Sequence, residues 1–225
     1  MQDVDRTARK FVFDYFLQQG SAPALEEIAS HLGTTLAEGR DVLSRLDAGH
    51  QLKLLENTDR ILMAFPFSAI STPYRVVRQD GRRYFANCAW DSIAFHPMLA
   101  ESIGIESFCS HCGAPVQFRL EGHRGKSTSG PLPLVHLRLP AAEWWKDITR
   151  TCANTMVFLS SGDHVEGDPD PRTWSDRGIV TVDQVVQMSL PIYTTKMQLG
   201  YDRPAVEVVR ANYERIGLTG PYWKI

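Results

Sequence analysis

The sequence predicts an α+β fold, with an N-terminal winged-helix-like helical domain followed by a mixed α/β core. Three observations lead there. Apolar residues recur at helical spacing through the first 48 positions, strand-like runs begin soon after, and strands and helices then mix without a regular βαβ rhythm. A chain of 225 residues suits one large domain or two small ones. We place the division between 1–68 and 69–225.

Val4, Ala8, Phe11, Val12, Tyr15 and Phe16 form one apolar face, so the opening segment reads as an amphipathic helix ending at Gly20. "SAPALEEIASHLG" gives a second, short helix that stops at Gly33. "TTLAEGRDVLSRLDAGH" gives a third, with Leu36, Leu43 and Leu46 on one face and Gly49 closing it. "QLKLL" and "RILMAF", separated by "ENTD", supply two short strands. Three helices and a hairpin in this order resemble a winged helix, a variant of the helix-turn-helix.

Such domains often bind DNA, but the third helix carries Arg40 and Arg45 against Glu38, Asp41 and Asp47. Phosphate binding draws on a cationic surface that displaces counterions, and this helix is net negative. A structural or substrate-covering role fits better, and nucleic acid is not an expected partner. The formal charge of −2 gives no electrostatic case for polyanions or anionic membranes. No apolar run reaches the roughly 18 residues of a spanning helix, so no membrane partner is expected. "MQDVDRTARK" leads into no signal-type apolar core, which makes the cytoplasm the expected location.

From about residue 70 the pattern changes. "YRVVRQDGRRYFA" reads as a hairpin around Asp80-Gly81. In "NCAWDSIAFH", Asn87 is a candidate N-cap that puts Cys88 at the first helical position and Asp91 one turn on. "GAPVQFRLEG", "LPLVHLRLP" and "TMVFLSS" read as strands, and "SGDHVEGDPDPRTW" as a loop rich in Gly, Pro and Asp. "TVDQVVQMSL" is a helix with Thr181 and Gln184 at capping-box spacing. "AVEVVRANYERIGLTGPYWKI" adds a last helix and a tail.

The four cysteines, Cys88, Cys109, Cys112 and Cys152, are not a disulfide framework in a reducing compartment. A thiol at a helix N-terminus is drawn toward thiolate, while an aspartate one turn away opposes it. Cys88 and Asp91 would then share a proton and titrate together. The plainer alternative is a core cysteine beside an aspartate facing solvent. Cys109-Ser-His-Cys112 is half of a four-thiolate zinc site, which Cys88 and Cys152 would have to complete. No second C-x2-C exists and those two are far apart in sequence, so structural zinc is not expected. "GAP" after Cys112 speaks against a redox motif opening a helix. His111 and His123 read as loop residues rather than ligands.

Taken in order, "RRYFANCAWDSIAF", "SHCGAPV", Cys152 before "MVFLSS", Trp174 and "GIVTVDQVV" resemble the organomercurial (alkylmercury) lyases over about residues 70–190. The resemblance implies a winged-helix-like domain packed on a mixed α/β catalytic core. It also implies protonolysis of a carbon–mercury bond to a hydrocarbon and Hg(II), with no cofactor. It assigns catalysis to Cys88, Asp91 and Cys152, with Cys88 and Cys152 holding the mercury. Cys112 best matches a third cysteine of structural role. The implied partners are an organomercurial substrate and cytosolic thiols or a mercury-accepting protein. Soft mercury prefers thiolate, and the departing carbon needs a proton that Asp91 could deliver, so the chemistry agrees.

This chain departs from the family pattern in the short segment around Cys112, the extra Cys109, the loop "GDHVEGDPDP" and the continuation after residue 190. Two other classes stay open: a thiol-based metal or metalloid sensor, and an enzyme of the same fold acting on another small molecule. A binder needs the sulfurs but not the acid, so Asp91 favours chemistry.

Overall fold

The computed structural model describes residues 1–127, 130–167 and 170–225. Its architecture is α+β, built from three sheets with antiparallel strand pairing and helices packed between them. Helix α1 (Asp3–Gln19) buries Ala8, Val12, Phe13 and Phe16 and ends at Gly20, whose φ of 74° is the left-handed turn glycine adopts without penalty. Helix α2 (Leu25–Leu32) stops at Gly33 in the same way. Helix α3 (Leu36–Ala48) opens on a capping box between Thr35 and Glu38.

Leu36 differs from expectation: it is exposed, and the buried face runs Gly39, Val42, Leu43, Leu46. Helix α2 explains this, because it comes so close that a Cβ at Gly39 would meet Leu25 Cδ1 at 3.1 Å. The contact face is set by that close approach, one turn into the helix.

Strands β1 (Lys53–Leu54), β2 (Ile61–Ala64) and β3 (Phe67–Ser68) form a small sheet behind these helices. Strands β4 (Arg75–Arg78) and β5 (Arg83–Phe85) form the expected hairpin, with Gly81 at φ 83° in its turn. Helix α4 (Ala89–Leu99) follows, and every residue from Ala89 to Met98 is buried. The chain then enters β6 (Ile103–Phe108), β7 (Pro115–Glu121) and β8 (Arg124–Ser127), giving a five-stranded sheet in the order β5-β4-β6-β7-β8. The sequence reading missed β6, the central strand. Gly104 and Glu106 interrupt its apolar character, although Ile103, Ile105 and Ser107 alternate inward as a strand requires.

The third sheet has β9 (Leu134–Leu137) between β10 (Met156–Leu159) and β11 (Ile179–Thr181). A single turn, α5 (Ile148–Arg150), runs into a π-helical turn at Thr151–Thr155 just before β10. Helix α6 (Val182–Tyr193) starts on the expected Thr181–Gln184 capping box, and α7 (Val206–Arg215) ends the helical part. Among the described residues of the Gly- and Pro-rich loop are two single 3₁₀ turns, with a third just after it; Asp168 and Pro169 at its middle lie outside the described residues.

One apolar core joins the helices to all three sheets, and α4 supplies Ala89, Trp90, Ile93, Ala94, Phe95 and Met98 to it. Trp90 on α4 donates to Ser189 Oγ on α6 at 2.7 Å, fixing the two helices against each other. The front of the chain is tied to the back as well. Buried Arg9 on α1 donates to the carbonyls of Lys196 (2.8 Å) and Gln198, and Tyr84 donates to the Leu17 carbonyl at 2.7 Å. Among the described residues no helix is long and apolar enough to cross a membrane.

Candidate active site

Helix α4 begins one residue later than the sequence suggests, and the shift has a chemical cause. Cys88 itself is the N-cap: its sulfur accepts the Asp91 amide at 3.4 Å, the bond an oxygen cap usually takes. Asn87 is freed for another task. Its side-chain amide donates to the carbonyls of Pro66 and Phe67 and, at 2.9 Å, to Asp91 Oδ2. The second carboxylate oxygen accepts from the Tyr193 hydroxyl at 2.9 Å, from the end of α6.

Cys152 arrives from a different part of the chain, within the π-helical turn that leads into β10. Such wide turns interrupt regular helix geometry and recur at functional sites. Here Asp147 caps the preceding turn through the Arg150 amide, and Thr155 bonds back to the Thr151 carbonyl at 2.7 Å. The result brings ligand atoms of Cys88, Asp91 and Cys152 within 4.8 Å of one another, all three side chains buried. Asp91 is 4% exposed, which overturns the plainer sequence alternative of an aspartate facing solvent. Met156 adds a thioether 3.7 Å from the Cys88 sulfur, so three sulfurs line the site.

Burial decides the protonation states. It pushes the Asp91 carboxyl up to about 6, while the hydrogen bonds from Asn87, Tyr193 and Cys88 and the Lys196 charge pull the other way. Burial also drives Cys88 well above the ordinary thiol range, reinforced by its bond to Cys152 and by the Asp91 charge. In Cys152 the bond from Cys88 acts downward, yet burial and Asp91 leave its thiol raised. The two thiols therefore hold their protons near neutral pH and the carboxyl is the first of the three to release one. The helix-dipole preference for thiolate at Cys88 is outweighed by desolvation.

Lys196, 3% exposed just beyond α6, is a buried cation whose charge acts on Asp91. Burial and the neighbouring Arg9 and Arg203 lower it to about 7, with Asp91 opposing them. Its ammonium lies over the rings of Tyr201 (4.6 Å), Phe13 (5.5 Å) and Tyr193 (5.7 Å).

The site opens into a pocket walled mostly by aromatic and aliphatic side chains, including Phe65, Trp90, Trp144, Trp145, Ile148 and Ile192. Trp145 forms part of the rim, held between His50 (ring centroids 4.1 Å, stacked) and Arg203 (4.4 Å). An apolar organic group fits such walls, with His50, Arg203, Lys196 and the Cys88, Asp91 and Cys152 cluster as the polar part of the lining.

Sequence reasoning found the two thiols and the carboxylate but missed Asn87 as its partner, Tyr193, Lys196 and Met156. Asn87 is local, four residues before Asp91, and the Trp144-Trp145 doublet was an overlooked signal, whereas Tyr193, Lys196 and Met156 are brought in by tertiary packing. Cys112 is exposed and Cys109 is the buried member of its pair, so the cysteine expected to be structural is at the surface.

Comparisons with known proteins point to one family. A family model described as alkylmercury lyase matches residues 67–194, a span containing Cys88, Asp91 and Cys152. The alkylmercury lyases of Bacillus cereus and Clostridium butyricum are each 25% identical over 160 residues, covering 70% of this chain and 70% of theirs. That of Staphylococcus epidermidis is 25% identical over 145 residues, 64% of this chain and 63% of its own. Among solved structures, the mercury-bound form of MerB2 matches with a TM-score of 0.61 at 17% identity, over 88% of this chain and 91% of that one. At that identity the likeness speaks for the fold.

Proposed function

The chain belongs to the alkylmercury lyase family and is an enzyme of that type, and from this premise we propose that it cleaves carbon–mercury bonds by protonolysis with Cys88, Cys152 and Asp91 as the catalytic residues. The observation that carries the reading is the buried triad itself, two thiols and a carboxylate with their ligand atoms within 4.8 Å. A site that merely bound a soft cation would not need a desolvated carboxylate.

The steps follow from the protonation states. An organomercurial R–Hg–X enters the aromatic pocket, and one thiol replaces X, giving Cys–S–Hg–R and HX. The Asp91 carboxylate, free above about pH 6, takes the proton of the second thiol. The new thiolate binds mercury, and electron density pushed into the metal weakens its bond to carbon. Asp91 then returns its proton to that carbon, releasing R–H and leaving Hg(II) on Cys88 and Cys152. The balance is R–Hg–X plus two thiols to R–H, HX and a mercury bis-thiolate. No organic cofactor enters the scheme.

Asn87 and Tyr193 hold one carboxylate oxygen each, so Asp91 keeps a fixed aim toward the sulfurs. Residues 1–68 serve as a winged-helix-like covering domain, supported by His50 and Phe65 in the pocket wall, and 69–225 as the catalytic domain. Cytosolic thiols or a mercury-accepting protein then exchange the metal off the site, as part of mercury detoxification in the cytoplasm. The decisive experiment is incubation of purified protein with an arylmercury salt and excess thiol. Stoichiometric arene released at a protein-dependent rate is the expected result; mercury retained without arene would reduce the protein to a binder.

A further inference from the structure

A second cluster of soft ligands is assembled at the other end of β10. Ligand atoms of Cys109, Cys112 and His164 lie within 4.8 Å of one another. His164 Nδ1 is 3.4 Å from the Cys109 sulfur, and Ser160 Oγ is 3.9 Å from the Cys112 sulfur and 3.3 Å from the same His164 nitrogen. In the sequence, Cys88 and Cys152 are the thiols that would have to complete a four-thiolate zinc site. They are occupied elsewhere, and the missing ligand is a histidine 52 positions after Cys112 that no spacing rule reveals.

We propose that Cys109, Cys112 and His164 form a binding site for a zinc-type divalent cation, held by two thiolates and an imidazole. Tetrahedral zinc, with bonds of about 2.3 Å to sulfur and about 2.05 Å to nitrogen, separates adjacent ligand atoms by ~3.5–3.8 Å. The Cys109–His164 distance already matches that spacing within a few tenths of an ångström.

The backbone prepares the site. The Cys109 amide donates to the Ala114 carbonyl (2.8 Å) and the Gly113 amide to the Cys109 carbonyl (2.9 Å), folding the two cysteines onto one side of a tight loop. Gly113 has φ 73°, a conformation that glycine makes available immediately after the second cysteine. The Ser110 amide pins this loop to the Phe158 carbonyl at 2.9 Å, and the Ser160 amide is aimed at the Cys109 sulfur at 3.4 Å. Amides directed at sulfur favour the thiolate a metal needs. His111 stacks on His164 at 4.7 Å and 16°, bracing the imidazole. Three protein ligands leave a fourth position for water or a small ligand, and His164 also lines a polar recess with His111, His136, Arg138 and Glu166.

This site is chemically independent of the carbon–mercury reading. Its test uses protein carrying Cys88→Ser and Cys152→Ser, so that the buried pair cannot contribute. The protein, kept reduced with a non-chelating phosphine, is titrated with Co(II) and followed by thiolate-to-cobalt charge-transfer and tetrahedral d–d absorption, then challenged with Zn(II). One Co(II) per chain, displaced by one Zn(II), is expected. Cys112→Ser in that background should weaken binding by more than about 100-fold, beyond the 10–100-fold typical of losing an outer-shell partner. Cys112 is exposed, so its loss does not threaten the core. His164→Ala should do the same. Absence of thiolate-to-cobalt absorption, or unchanged affinity in either variant, overturns the proposal.

Discussion

Cys88 and Cys152 are enclosed by aromatic walls beside a desolvated carboxylate, whereas Cys109 and Cys112 occupy a loop where backbone amides point at sulfur. Cys109 and the buried pair respond in opposite directions. Burial and Asp91 push the first pair up. Cys109, although desolvation acts against it, is brought down to about 6 by Ser160 and by the amides of Cys112, Ser160 and His111. One strand serves both, since Met156 touches Cys88 at its start and the Phe158 carbonyl holds the Cys109 loop near its end. The contrast teaches that the chemistry of a cysteine is set by what replaces its water. A carboxylate keeps the proton at hand for transfer, and amides remove it in advance.

The largest effect expected from breaking the contrast is at the buried pair. Cys88→Ser or Cys152→Ser should reduce steady-state organomercurial turnover to background; a rate near that of the unaltered protein for either variant would remove that thiol from the mechanism. Asp91→Asn comes next. It should still capture mercury, but single-turnover arene release from a preformed arylmercury complex should fall by about 10²–10⁴-fold, the usual contribution of a general acid–base group. Undiminished release would mean that the proton comes from elsewhere.

A pH profile sharpens the same point. Asp91 must be a carboxylate to accept the thiol proton, so kcat/KM should rise with pH through about 6. The Tyr193 hydroxyl stabilises that carboxylate, and Tyr193→Phe should therefore move the limb to higher pH. A limb that stays in place would show that another group sets it.

Stability should move oppositely to activity. The folded-state value of Asp91 is raised above its ordinary value of 3.8 to about 6. Its contribution to stability is thus fully present below about 3.8 and is lost as pH rises through 6. In Asp91→Asn, denaturant unfolding between pH 4 and 7 should show a flatter pH dependence than in the parent; identical slopes would contradict the burial account. The smallest effect is expected across the contrast, where Cys112→Ser should leave arene release within about twofold, as for an exposed position outside the reacting centre. A larger loss of activity would mean that the two clusters act together.

Much of this was legible in the sequence because local rules decided it. Glycines at 20 and 33 end helices, the Thr181–Gln184 pair starts one, and alternation marks β7 and β9. Cys88 and Asp91 were legible as neighbours because one helical turn joins them. Tyr193, Lys196 and His164 were not, since each reaches its partner across a packing interface between segments far apart in sequence. Strand β6 was hidden for a different reason, its central glycine and glutamate diluting a pattern that only the sheet completes. The helix start at Cys88 was misplaced by one residue because sulfur is an uncommon cap.

The stacking of Trp145 between His50 and Arg203 has a kinetic meaning. An exposed cation–π contact contributes about 0.5–1 kcal/mol and an aromatic stack about 0.5–1.5 kcal/mol, so separating this rim costs on the order of 1–2.5 kcal/mol. Boltzmann weighting at RT ≈ 0.59 kcal/mol then leaves the ring displaced in roughly 1–15% of molecules at any instant, overlapping the usual range of minor conformers of about 0.1–10%. Entry of a substrate as wide as an arylmercury would draw on that standing minority. The buried sulfurs would thus be reached by breathing of the entrance, while the close-packed helix α4 beneath them stays still.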